Sequence, residues 1–123
     1  MIKTLLFIGL GSFAGGVARY GMSRLATHVA GHPTTLGTLA ANLLGCLLIG
    51  LIYGLFDRHG SPGEHWKLFL TVGFCGGFTT FSTFIHENYA GIGEGRFLEM
   101  ACYAAGSFLL GLVMVHIGHI LVK

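Results

Sequence analysis

Four stretches of about twenty mostly apolar residues follow one another along the chain, roughly Ile2 to Leu25, Leu36 to Phe56, Trp66 to Ala90 and Phe97 to Val122. Lipid offers no partner to an open backbone group, so stretches of this length are read as spanning helices. The apolar/polar alternation of a barrel strand is missing. The connections ATHVAGHPTT, DRHGSPGEH and GIGEGR collect Gly, Pro, His and charge. Because they are short, neighbouring helices are expected to run antiparallel. The fold class is therefore all-α, with four transmembrane helices forming a single domain over residues 1–123.

Composition narrows the functions open to such a chain. Only 10% of the residues are charged, against about a quarter in soluble domains. A net charge of +2 provides no nucleic-acid surface. The three cysteines, Cys46, Cys75 and Cys102, fall far apart in apolar stretches and read as small buried hydrophobes. The start, MIKTLLFIGLGSFAGG, has a signal-peptide look. Since apolar character resumes three more times, a retained first span is expected instead. No phosphate-binding loop, Ser-His-Asp set or paired catalytic carboxylates can be placed, so an enzyme is not expected.

With four spans, Lys3, Arg58, Lys67 and Lys123 share one side of the membrane, while Arg24 and Arg96 share the other. Arg19 lies inside the first span. Four against two is a weak orienting instruction, compatible with insertion both ways and pairing of opposite copies.

Residues 73 to 84, GFCGGFTTFSTF, depart most from an ordinary spanning helix. Gly73, Gly76 and Gly77 weaken the third span near its middle, and Thr79, Thr80, Ser82 and Thr83 can bond backbone groups freed by a break. A mid-membrane break offers carbonyls and amides to ions; a hinge or a tight glycine crossing is the plainer alternative. Gly11 with Gly15, Ala41 with Gly45 and Gly50 with Gly54 have the spacing of close helix contact. Phe81 and Phe84, three apart, share a helical face. Their ring edges carry partial positive charge and can hold an anion weakly, and weak holding is what conduction needs.

Asn42 is a polar residue deep in the second span, read either as a functional donor or as an interhelical tie. Tyr103 and Ser107 lie four apart in the last span and add donors on one face. Arg19, costly at depth but near its helix end, is expected either to snorkel or to sit in a water-filled mouth and attract anions. All five acids, Asp57, Glu64, Glu87, Glu94 and Glu99, follow residue 56, which leaves the first two spans without a carboxylate. The interior donors therefore lean toward an anion.

SFAGGVARY at 12–20, GTLAANLLG at 37–45 and above all GFCGGFTTFSTF at 73–84, with Tyr103 and Gly106-Ser107, resemble the Fluc (CrcB) family of fluoride ion channels over essentially the whole chain. The resemblance implies a passive fluoride-exporting channel, multi-pass in a bacterial inner membrane. It implies an antiparallel, dual-topology homodimer in the lipid bilayer, with the broken third helix crossing its twin. Backbone carbonyls of Gly76 and Thr79 would hold a structural Na+. Asn42, Phe81 and Phe84 would line the fluoride pathway, with Thr38, Ser82, Thr83, Tyr103 and Ser107 as its polar track, and Arg19 and Glu87 at the mouth. One departure is Ile85-His86-Glu87 after the motif, where the family often has Ser two before the Glu. In the second motif Ala41 stands for a common Val.

His86 beside Glu87, and His116 near His119, show no converging set of four metal ligands. A small dual-topology proton-coupled multidrug exporter is the runner-up, although it needs a carboxylate in an early helix. An accessory membrane subunit is the third reading.

Overall fold

The computed structural model describes residues 1–31, 35–60 and 63–122, and it holds no strand among them. Residues 32–34 and 61–62 of the first two connections, and Lys123 of the basic-residue count, lie outside the described residues. Helix α1 covers Ile2–Ala30 and α2 covers Leu36–His59. The third span is composite. It opens with α3 (Glu64–Leu68), widens into a π-helical stretch over Phe69–Cys75, and closes with the single turn α4 (Gly76–Phe78). Thr79 is then extended, at φ −91° and ψ 159°, before α5 (Ser82–Gly93) restarts the helix. Helix α6 covers Phe97–Leu121.

Among the described residues, four helical spans are long and apolar enough to cross a membrane: Ile2–Ala30, Leu36–His59, Glu64–Gly93 and Phe97–Leu121. The protein is a multi-pass membrane protein, with the spans where the apolar windows put them. The helices outrun those windows, so much of the three connections is helical. Gly31, at φ 80°, ends α1 by turning its N–H back to the Thr27 carbonyl at 2.9 Å. Between α5 and α6, Arg96 is bonded to Glu94 at 2.6 Å and to Glu99 at 3.2 Å. The Glu94 carboxylate first, then Glu99, raises the already high pKa of this guanidinium.

Glycine sets the packing. In lipid, association relies on close van der Waals approach, because tails are as apolar as leucine. Helix α1 packs on the π stretch and α4 through facing glycines. A methyl on Gly73 would come within 2.9 Å of the Gly11 Cα, and one on Gly77 within 2.6 Å of the Ser12 carbonyl oxygen. Helix α2 packs on α6 in the same way. There a methyl on Gly118 would meet the Leu51 nitrogen at 2.8 Å, and Gly50 and Gly54 face Val115 and His119. The expected pairs Gly11/Gly15, Ala41/Gly45 and Gly50/Gly54 all lie at such contacts.

Of the two expectations for the glycines of the third span, Gly73 and Gly77 follow the plainer one, a tight crossing. Gly73, Gly76 and Gly77 stay helical, and the break falls after them, at Thr79–Phe81. Close contact with α1 holds Gly73 and Gly77 in helix, and the extended backbone goes to the β-branched Thr79.

Helix α5 packs chiefly on α6. Its stripe Phe81, Ile85, Tyr89 and Ile92 is exposed, with Phe81 at 74% and Tyr89 at 76%.

Candidate functional site

The break leaves peptide groups without helical partners, and side chains from other spans take them up. Asn42 on α2 donates from Nδ2 to the Thr80 carbonyl at 3.1 Å and accepts the Thr80 N–H on Oδ1 at 2.8 Å. Arg19 on α1 donates from Nε to the Gly77 carbonyl at 3.1 Å. The Thr79 hydroxyl donates to the Cys75 carbonyl at 2.8 Å, and the Thr80 hydroxyl accepts the Thr83 N–H at 3.3 Å. Of the four hydroxyls, that of Thr80 thus serves a freed backbone group, while the Thr79 hydroxyl shares the Cys75 carbonyl with the Thr79 N–H, which reaches it at 3.0 Å. Among the described residues, no hydrogen bond reaches the carbonyls of Gly76 or Thr79.

Beside the break runs an open groove of about 470 Å³ between α2, the break, α5 and α6. Asn42, Thr79, Thr80, Phe81, Phe84 and Ser107 line it, with an apolar floor that includes Phe108 and Cys46. The Phe81 and Phe84 rings lie 6.4 Å apart, tilted by 43°. The Ser107 Oγ is buried and has no hydrogen-bond partner among the described residues. An orphaned hydroxyl in an apolar wall is costly, and it leaves one donor without a partner among the described residues.

A second polar layer lies one turn along. Glu87 on α5 accepts the Thr38 hydroxyl of α2 at 2.7 Å on Oε2 and the Tyr103 hydroxyl of α6 at 2.8 Å on Oε1. Phe84 also touches Tyr103, at 5.1 Å between ring centroids. Thr38 and Asn42 are four apart on α2, Phe84 and Glu87 three apart on α5, and Tyr103 and Ser107 four apart on α6. Three helices therefore carry matched pairs, which stack the Glu87 cluster on the groove.

Of the residues singled out from sequence, Asn42, Phe81, Phe84 and Ser107 meet in the groove, and Thr38, Tyr103 and Glu87 meet in the adjoining cluster. Ser82 and Thr83, on the first turn of α5, are not among the groove-lining residues. Gly76 is exposed and Thr79 lines the groove. Arg19 also lies outside the lining, against the break. Sequence reasoning missed the Arg19–Gly77 tie, which joins residues 58 apart, and nothing in the local pattern announces it. No three His, Cys, Asp or Glu side chains gather among the described residues, and the partner of His119 is Asp57, at 3.2 Å.

A family model described as CrcB-like protein, Camphor Resistance (CrcB), matches residues 6–119. The chain belongs to the CrcB family. CrcB relatives similar to it include the fluoride-specific ion channel FluC of Chlorobium phaeobacteroides, 40% identical over 99% of this chain and 94% of that protein. FluC of Chlorobaculum tepidum is 42% identical over 100% of this chain and 97% of its own length. FluC of Pseudomonas putida is 43% identical, with 89% of each chain covered. These CrcB proteins are similar along essentially their whole lengths, so the break, the groove and the Glu87 cluster all lie within the shared region.

Proposed function

We propose that this protein is a fluoride channel that passively exports cytoplasmic fluoride. The observation that carries the reading is the groove, where Phe81 and Phe84, the Asn42 amide and the orphaned Ser107 hydroxyl converge without a formal charge. The fluoride-specific naming of full-length relatives supports the choice of ion. A small, strongly hydrated anion gives up water only where donors replace it, and ring edges with hydroxyls do so without trapping it. Hydrogen fluoride enters cells as a neutral acid and ionises in a near-neutral cytoplasm. A negative-inside potential then drives the anion out, with no catalytic step.

The same reading has the channel working as an antiparallel homodimer in a bacterial inner membrane. The groove is open on one side and the α5 stripe lacks cover within the subunit, which suits a second copy. The unclaimed carbonyls of Gly76 and Thr79 are hard oxygen donors that fit a structural Na+. One subunit supplies two of them, and an inverted twin would double the set.

The test is efflux from proteoliposomes read with a fluoride electrode, without a proton gradient. Wild type is expected to release fluoride, and Phe81→Ile and Ser107→Ala to slow it. The Glu87 carboxylate inside the bundle makes the proton-coupled exporter worth one arm of that assay. Flux that collapses without a pH gradient, or no flux at all, would overturn the channel.

A further inference from the structure

In an unbroken helix the Gly77 carbonyl would accept the N–H of residue 81, and the Gly76 carbonyl that of residue 80. The extended Thr79 removes both partners. Asn42 takes the polar groups of Thr80, and Arg19 takes the Gly77 carbonyl. The end of the first half of the third span is therefore fixed by a side chain from α1. Arg19 is half-buried there, its donor is the Nε of the side chain, its acceptor is a neutral carbonyl, and it does not line the groove.

We propose that Arg19 is a positioning residue for the fluoride pathway, acting through its Nε–H bond to Gly77 and not through its positive charge. Resting on the channel reading above, this assigns Arg19 a task different from drawing anions to a mouth. By holding Gly77, it fixes the neighbouring Gly76 and Thr79 carbonyls and the entry into Phe81.

The bond geometry supplies a clean test, because Nε2 of glutamine is as many bonds from the backbone as Nε of arginine. Arg19→Gln keeps the donor and drops the charge. Arg19→Lys keeps the charge and moves the donor one bond outward. Arg19→Met keeps the length and loses both. Fluoride efflux from proteoliposomes is measured beside amide exchange of a peptide covering residues 79–83, with a peptide from α6 as internal control. Arg19→Gln is expected to stay within about threefold of wild-type efflux with unchanged exchange. Arg19→Met is expected to lose about tenfold or more, with faster exchange confined to 79–83, and Arg19→Lys to fall between them. An Arg19→Met protein that cannot be folded while Arg19→Gln can would also show that the donor is required.

The proposal is overturned if Arg19→Lys is near normal while Arg19→Gln matches Arg19→Met. It is equally overturned if Arg19→Met is indistinguishable from wild type, or if Arg19→Gln fails to fold. A wild-type protein that carries no fluoride would sink the channel reading instead, leaving the exchange pattern to decide the role of Arg19.

Discussion

Asn42 holds both main-chain polar groups of Thr80, one through each atom of its amide. An amide donates and accepts in parallel with a peptide without needing a change of protonation. It does so where the third span has lost its own ladder.

Asn42→Asp tests this directly. A carboxylate still accepts the Thr80 N–H but cannot donate to the Thr80 carbonyl, and it sets a negative charge beside the groove. The expected cost is about 1–3 kcal/mol of stability, read as a lower thermal midpoint in detergent. Efflux should fall at least about tenfold. Unchanged stability would show that Asn42 does not carry the break.

Glu87 joins three helices through two hydroxyl donors. Glu87→Gln leaves one acceptor oxygen for two donors and turns an N–H toward one of them. The loss should be about 1.5–3 kcal/mol, as for hydrogen bonds to a charged group. Tyr103→Phe and Thr38→Val should each cost less, and a double-mutant cycle of either with Glu87→Gln should show coupling. Additive losses would mean that the three residues act separately.

Gly77 and Gly76 are neighbours with opposite surroundings. A methyl at Gly77 meets the Ser12 carbonyl oxygen at 2.6 Å, whereas at Gly76 the nearest atom is 3.9 Å away, the Thr71 carbonyl oxygen. Gly77→Ala should force α1 outward and cost about 1–3 kcal/mol. Gly76→Ala should leave the subunit intact and, in the proposed antiparallel dimer, act between the two copies, lowering the dimer fraction measured by light scattering and the efflux with it. A Gly76→Ala protein with normal pairing and normal flux would remove Gly76 from the proposed crossing.

The Asp57–His119 contact spans α2 and α6 at 3.2 Å, yet its side chains are 70% and 44% exposed. Asp57→Asn should change stability by no more than about 1 kcal/mol. The effect should shrink as salt is added. A larger shift in thermal midpoint would mean that this end of the bundle is shielded from solvent.

Span number, span limits and glycine contacts were readable because lipid leaves few choices. Apolar length decides a span, and a missing Cβ decides where two helices can touch. The polar residues that gather, Asn42, Ser107, Thr38, Tyr103 and Glu87, stand out in sequence as chemistry that is costly among lipid tails, and Phe81 and Phe84 stand out by their place among the hydroxyls of GFCGGFTTFSTF. The location of the break was not readable from glycine content. Gly73 and Gly77 are spent on α1, and the interruption passes to Thr79. The Arg19–Gly77 bond and the widened Phe69–Cys75 stretch were equally hidden, since both depend on how α1 lies against the third span.

That widened stretch has a consequence for chain length. A π turn accommodates a residue that an α turn would place elsewhere, so Phe69–Cys75 acts as an angular spacer ahead of the break. Restoring α geometry there while keeping every residue would rotate everything downstream by about 100°. Thr80 would then swing away from Asn42, and Phe81 from the groove. The count of residues there sets a bearing as well as a distance.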